Sequence, residues 1–206
     1  MSAPRMLRRA LGKALLAAVR YRLVAPDVRE PRAIFIGAPH TARLDFVLML
    51  GIAWSRDLTP KVLMKREYFD GIAGPFFRAL GGIAVDRGNP DGLVADLVAR
   101  AERGERFHLV ITPEGTRGRR EHWKSGFYRI ALAADLPVVL GFLDSVTRTT
   151  GLGPTIRLTG DVRADMDRFR AFYADKVGVH PELGTPPSLA DEETATYADP
   201  ATAPAG

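Results

Sequence analysis

Short apolar runs alternate along the chain with longer segments in which apolar residues recur every three or four positions. The runs predict strands, and the periodic segments predict helices. The predicted strands span residues 33–38, 61–65, 82–86, 107–112, 137–143 and 155–159. The predicted helices span residues 6–24, 44–55, 71–80, 90–103, 126–135 and 165–177. This alternation predicts an α/β fold: a mainly parallel, doubly wound sheet with helices on both faces.

The first helix, which precedes the α/β domain, is amphipathic in an unusual way. Arg9, Lys13 and Arg20 fall on one stripe, and small or apolar residues cover the opposite side (Leu7, Ala10, Leu11, Ala14, Ala17, Ala18 and Tyr21). Such a helix either packs on the domain or lies in a membrane interface with its basic side on anionic headgroups. No uninterrupted apolar run approaches the ~20 residues that span a bilayer, so peripheral attachment is the most we expect.

The charge is uneven along the chain, and it divides the sequence into three parts. Residues 1–32 carry a net charge of +6, whereas residues 185–206 carry −4, in a chain whose net charge is +5. The basic segment favours an anionic membrane surface. We therefore expect a membrane-docking helix and linker over residues 1–32, the α/β domain over residues 33–180, and a disordered acidic tail over residues 181–206.

Several classes of function find no support in the sequence. The chain has no cysteine, which excludes disulfides and thiolate chemistry. It lacks a G-x-S-x-G elbow, a phosphate-binding P-loop and a complete dinucleotide-binding glycine motif. His108, His122 and His180 do not have the spacing of zinc ligands, so we expect no metal. Basic residues are not interleaved with aromatic ones on the domain, which argues against nucleic acid as a partner.

One polar cluster, residues 39–45 (PHTARLD), follows the strand at 33–38 directly. Pro39 ends the strand, and Thr41 is predicted to cap the next helix, which leaves His40 just outside it. Asp45 then lies in the first turn, from where its carboxylate can reach back to the imidazole. A carboxylate on Nδ1 leaves Nε2 as a proton acceptor, as a general base requires. Alternatively, His40 fills a loop and Asp45 complements the helix dipole.

A second cluster, residues 113–117 (PEGTR), follows the strand at 107–112. Gly115 permits a close approach of the main chain, and Arg117 suits bidentate recognition of phosphate or carboxylate. Arg87, which follows the strand at 82–86, could converge on the same place because parallel strands end at one edge of a sheet. The alternative is a set of surface ion pairs, for example between Glu114 and Arg117.

With these clusters the chain resembles the glycerolipid acyltransferase family, the lysophosphatidate-acyltransferase-like enzymes, over roughly residues 34–143. Residues 40–45 match its His-x4-Asp motif, and residues 82–87 (GIAVDR) match a block that ends in arginine. Residues 113–117 match its Pro-Glu-Gly-Thr-Arg block fully, and residues 136–139 (LPVV) resemble its apolar fourth block. Four blocks in the family's order argue against a chance match.

The resemblance implies transfer of a fatty acyl group from acyl-CoA or acyl carrier protein to a hydroxyl of a lysophospholipid or a related polar lipid. It implies that His40 is the general base and Asp45 its partner. Arg87 and Arg117 would hold the acceptor's phosphate, and the pocket would be shaped by the rest of the third block (Glu114, Gly115 and Thr116). No cofactor is implied, and the expected location is the cytoplasmic face of a membrane, where the protein is peripheral.

Departures from the family pattern concern the acceptor more than the reaction. Pro39 stands where the family often has asparagine, and Ala42 replaces a common serine. These differences weaken the assignment to lysophosphatidate itself. Two rival functions stay open: hydrolysis of a thioester or ester by the same His40–Asp45 pair, and phospholipid binding without turnover.

Overall fold

A computed structural model describes residues 3–24, 30–58, 60–85, 92, 95, 97–99 and 102–192. Its strands are β1 Arg22–Val24, β2 Arg32–Ala38, β3 Pro60–Lys65, β4 Gly82–Val85, β5 Phe107–Ile111, β6 Val138–Asp144 and β7 Thr149–Ile156. The α-helices whose bounds lie within these residues are α1 Ala3–Ala18, α2 Leu44–Ser55, α3 Gly74–Ala79, α4 Gly126–Ala133 and α5 Val162–Tyr173. The helix predicted over residues 90–103 lies in large part outside the described residues.

The strands form one seven-stranded sheet in the order β1-β7-β6-β2-β5-β3-β4. Neighbouring strands from β6 to β4 are parallel, β7 is antiparallel to β6, and β1 is parallel to β7. Ile36 of β2 pairs with Ile111 of β5, and Ala38 pairs with Phe142 of β6. These central strands therefore end at the same edge of the sheet, which places residues 39–45 beside residues 112–117.

Both faces of β2 are buried, because successive side chains of a strand point to opposite sides of the sheet. Ile34 and Ile36 belong to a core that includes Phe127 of α4 and Phe169 of α5. Phe35 belongs to the core on the other face, together with residues of α2 such as Ile52. The predicted α/β fold, a mainly parallel sheet with helices on both faces, is thus confirmed.

The N-terminal helix is shorter than predicted and is part of the domain. α1 ends at Ala18, and the positive φ of Arg20 (59°) turns the chain into β1, which pairs with β7. α1 packs closely on α2 through glycine: a Cβ on Gly12 would lie 2.5 Å from Ser55 N. α1 and β1 therefore complete the α/β fold, as the alternative of a helix packed on the domain predicted, and the docking role of residues 1–32 stays a prediction.

The strand predicted over residues 155–159 exists with different bounds. The structure has β7 over Thr149–Ile156, which takes in the Gly/Thr-rich stretch that we predicted as a loop. Glycine is required at position 151 because β1 approaches so closely that a Cβ there would overlap the carbonyl of Val24. In a sequence such a glycine usually indicates a loop, but here its missing side chain allows the two strands to pair.

The acidic tail predicted over residues 181–206 is ordered in its first part. A short 3₁₀ helix spans Pro181–Leu183, Leu189 is buried, and Glu192 forms an ion pair with Arg170 at 2.9 Å. Residues 193–206 lie outside the described residues. The domain therefore continues at least to residue 192, because the chain beyond α5 packs back onto it.

Candidate active site

The loop between β2 and α2 is held by the carboxylate of Asp45, which lies in the first turn of α2. Its Oδ2 accepts hydrogen bonds from the main-chain N–H groups of Thr41 at 2.8 Å and Ala42 at 2.9 Å. The position before the helix is occupied by Arg43, whose side chain makes no capping hydrogen bond. Thr41 is therefore not the cap that the sequence predicted; Asp45 instead ties the N–H groups of the preceding loop to the first turn of the helix.

His40 lies against the same carboxylate. Its Nδ1 is 3.0 Å from Asp45 Oδ2, and the two side chains are 17% and 8% exposed. The same oxygen accepts the two main-chain hydrogen bonds, so Asp45 contacts the ring and the loop backbone at once. With a carboxylate beside Nδ1, Nε2 is the ring atom left to accept a proton. The approach of Asp45 to His40 that the spacing predicted is present.

Glu114 lies beneath this loop rather than in a ligand pocket. It is fully buried, and its Oε1 accepts a hydrogen bond of 2.6 Å from the main-chain N–H of His40. Its Oε2 accepts one of 3.2 Å from the N–H of Thr185. Burial raises the pKa of Glu114, and the two N–H donors oppose that rise. Both oxygens of Glu114 serve the main chain, so the alternative ion pair with Arg117 is not formed; a part for Glu114 in shaping the acceptor pocket stays a prediction.

The remainder of the third block turns outward. Gly115 has a φ of +70°, and its N–H donates to the carbonyl of Thr112 at 2.9 Å, so the chain reverses sharply there. Thr116 is then partly exposed, and Arg117 is exposed. Arg117 forms no ion pair with a carboxylate in the described part of the chain.

Arg87, the second predicted phosphate ligand, lies outside the described residues. β4, the strand that it follows, runs parallel to β3. Convergence of Arg87 with Arg117 therefore stays a prediction from the order of the strands.

Contacts that the sequence did not predict complete the surroundings of the loop. Thr41 is buried, and its Oγ1 accepts a hydrogen bond of 3.1 Å from the main-chain N–H of His180. Gly178 packs on the same hydroxyl, since a Cβ there would lie 2.8 Å from Thr41 Oγ1. Tyr173 donates to the carbonyl of Gly141 at 2.8 Å, and burial raises its pKa, as does the nearby Glu114 carboxylate. These contacts involve the main chain, which no side-chain motif reveals.

Two other histidines, His108 and His122, have structural partners away from the pair. His108 is buried with its Nε2 3.1 Å from the carbonyl of Glu30, and burial lowers its pKa. His122 Nδ1 lies 3.1 Å from the hydroxyl of Ser188. The His40–Asp45 pair lies at the carboxyl edge of β2 and β5, with the exposed Arg117 guanidinium on the neighbouring loop. This edge offers a base for a hydroxyl and a cation for an anionic ligand.

A family model for acyltransferases matches residues 22–139, which is more than half of the chain. The chain therefore belongs to the acyltransferase family. The fold is similar to that of the crystal structure of the 1-acyl-sn-glycerophosphate (LPA) acyltransferase PlsC from Thermotoga maritima. The TM-score is 0.54 at 16% sequence identity, over 74% of this chain and 68% of that one. A search of curated protein sequences gave no match. The family predicted from the four sequence blocks is confirmed.

Proposed function

We propose that the protein transfers a fatty acyl group from an acyl thioester to a hydroxyl of a lysophospholipid or a related polar lipid. The observation that carries this proposal is the 3.0 Å contact between His40 Nδ1 and Asp45 Oδ2 at the carboxyl edge of the sheet, in a chain of the acyltransferase family. Ligands of open α/β sheets bind at that edge.

In the proposed reaction the acceptor hydroxyl gives its proton to Nε2 of His40 while its oxygen attacks the thioester carbonyl. A C–O bond forms and the C–S bond breaks. The thiol has a pKa near ~8.5, so it leaves as a thiolate and is then protonated by the imidazolium or by water. Asp45 stabilises the charged imidazole, and general-base help of this kind contributes roughly 10²–10⁴-fold in rate. The donor is acyl-CoA or acyl carrier protein, and the scheme uses no metal or cofactor.

The acceptor would be bound through its phosphate. Arg117 is exposed on the loop that follows Glu114, beside the His40 loop, and its planar guanidinium can donate two parallel hydrogen bonds to phosphate oxygens. Arg87 would supply a second cation if it converges from the edge strand. This part of the proposal favours a lysophosphatidate-like acceptor over one without a phosphate.

The membrane contact is proposed on α1. The side of α1 that carries Gly12 and Leu16 packs on α2. On the other side three large apolar residues are exposed: Met6 (59%), Leu7 (71%) and Leu11 (52%). Large apolar side chains thus lie on the solvent side of a helix whose other side is covered by the domain. No helix in the described ranges is both long and apolar enough to cross a bilayer. We infer that this apolar side enters one leaflet of the cytoplasmic membrane surface, with Lys13 on anionic headgroups.

The decisive experiment incubates pure protein with radiolabelled palmitoyl-CoA and a panel of acceptors: lysophosphatidate, lysophosphatidylglycerol, lysophosphatidylcholine and monoacylglycerol. A new diacyl product supports the proposal. Free fatty acid alone would show a hydrolase, and lipid binding with neither product would show a protein that binds without turnover. His40→Ala serves as the catalytic blank. His122→Gln is the matched control, because His122 is partly exposed and contacts Ser188 rather than the His40–Asp45 pair.

A further inference from the structure

The segment after α5 crosses the loops of the candidate site, and residues 177–189 are here named the C-terminal strap. Two of its main-chain N–H groups donate to residues of the two site loops. That of His180 donates to Thr41 Oγ1 at 3.1 Å, and that of Thr185 donates to Glu114 Oε2 at 3.2 Å. The strap therefore contacts the first and the third sequence block at once.

The strap is fixed on its other side as well. The N–H of Trp123 donates to the carbonyl of Ser188 at 2.8 Å, and its indole Nε1 donates to the carbonyl of Thr185 at 2.8 Å. The main-chain N–H of Arg120 donates to Thr185 Oγ1 at 3.0 Å, and Leu189 is buried. Thr185 thus has three hydrogen-bonded atoms, and its position is set by the core around Trp123.

We propose that the C-terminal strap positions the general base: Thr185, acting through Glu114, sets the place of His40. Glu114 carries the link because one of its oxygens accepts from Thr185 and the other from His40. The strap lies beyond residues 22–139, the part of the chain that the family model matches. This assignment rests on the proposed role of His40, and the contact chain itself can be tested without turnover.

The charged state of Glu114 gives the link a pH signature. The titratable groups that act on Glu114 are His40 in the loop above and Asp45 in the first turn of α2. The phenol of Tyr173 on α5 is also nearby. The ionised form of Glu114 is stabilised by the N–H groups of His40 and Thr185, against the cost of burial. Removal of the Thr185 N–H takes away one of these two donors. The pKa of Glu114 then rises further, and the acid limb of the activity profile moves to higher pH.

The test variant is Thr185→Pro, which deletes the N–H donor. The residue before a proline must be extended, and Gly184 already has φ −67° and ψ 141°, so the position before the new proline needs no change. With [¹⁵N]histidine labelling, the four histidines give resolvable amide signals. We expect hydrogen exchange at the His40 amide to accelerate on the order of tenfold. In the palmitoyl-CoA assay kcat should fall while both KM values change little, with the acid limb shifted upward.

Thr185→Ala is the matched control for the exchange measurement, because it loses the hydroxyl and keeps the N–H. It should preserve the protection of the His40 amide. Unchanged exchange and an unchanged pH profile in folded Thr185→Pro would overturn the proposal, as would equal acceleration in Thr185→Ala.

A measurement on the wild-type protein needs no variant and no substrate. If Glu114 bridges the two amides, the amide shifts of His40 and Thr185 must share one titration step with a common midpoint, beside any step that the His40 ring adds to its own amide. Absence of a shared step would refute the link, even if Thr185→Pro fails to fold. A common midpoint in a protein without acyl transfer would leave the link standing and reject the proposed function.

Discussion

The two halves of the candidate site differ in burial. The half that would handle the proton consists of His40, Asp45 and Glu114, all buried or nearly so and joined through main-chain hydrogen bonds. The half that would bind the anion offers Arg117, exposed on a turn that Gly115 makes possible. A general base must be held in place before the substrate arrives, whereas an anion-binding side chain can be ordered by its ligand.

The difference predicts how each half responds to change. In the buried half, loss of one partner leaves a polar group without water or protein to satisfy it, so effects are large and include stability. In the exposed half, loss of a contact is partly compensated by solvent, so effects are smaller and confined to binding.

The largest effect is expected for His40→Ala. We expect kcat to fall roughly 10²–10⁴-fold because the acceptor hydroxyl loses its base. Asp45→Asn should approach that loss, since the amide keeps an oxygen for the N–H groups of Thr41 and Ala42 but cannot stabilise the charged imidazole. Single-turnover kinetics with palmitoyl-CoA and lysophosphatidate would measure both. Wild-type rates in either folded variant would remove His40 from the chemistry.

Glu114→Gln should act on stability, with a defined pH dependence. The amide offers one acceptor oxygen for two N–H groups, so we expect a loss of about 1–3 kcal/mol in the free energy of unfolding. The measurement is urea unfolding of the variant and the wild type at a series of pH values.

The sign of the pH dependence follows from the carboxyl group. Burial raises the pKa of Glu114 above its ordinary value of 4.5. Above pH 4.5 the folded wild type holds a proton that the unfolded chain has released, so wild-type stability falls as the pH rises toward the folded pKa. Gln does not titrate, so the difference in the free energy of unfolding between the variant and the wild type should narrow over that range. A difference that widens with rising pH would contradict a raised pKa of Glu114.

The sequence predicted most accurately the features that a short local motif determines. Pro39 ends β2, the helix at 44–55 has the predicted bounds, and the spacing of His40 and Asp45 implied their approach. These features are local, so neighbouring residues determine them.

The features that the sequence did not predict depend on main-chain contacts between distant segments. The strap from 177 to 189 is rich in proline and has no period, so its composition indicates disorder; it is ordered by N–H groups that meet Thr41 and Glu114. β7 was missed because Gly151 weakens the strand pattern, although glycine is what β1 requires there. For α1 the pattern identified an apolar side. It did not indicate that the opposite side, which carries Gly12, packs on α2.

In the exposed half, Arg117→Lys should raise the acceptor KM about tenfold and leave kcat nearly unchanged, because lysine cannot form two parallel hydrogen bonds with phosphate. Arg119→Lys, an exposed arginine two residues further along, is the matched control. Initial rates against lysophosphatidate and against palmitoyl-CoA separate the two substrates. An equal rise in both KM values would mean that Arg117 does not recognise the acceptor specifically.

The smallest effect concerns the membrane contact, and a point substitution tests it better than truncation does. Deletion of residues 1–24 would remove β1 from the sheet and uncover the α2 surface on which Gly12 and Leu16 pack. Leu7→Ser leaves that packing intact, because Leu7 is 71% exposed.

Insertion of an exposed leucine into lipid contributes about 1 kcal/mol, so binding of Leu7→Ser to vesicles of phosphatidylcholine and phosphatidylglycerol should weaken roughly fivefold. Val146→Ser is the control, since Val146 is 73% exposed on the turn between β6 and β7. Co-sedimentation across a salt series separates the apolar contribution to binding from the electrostatic one. The loss of binding caused by Leu7→Ser should persist at high salt, where attraction between charges is screened. Equal weakening by Val146→Ser, or none by Leu7→Ser, would place the membrane contact away from α1.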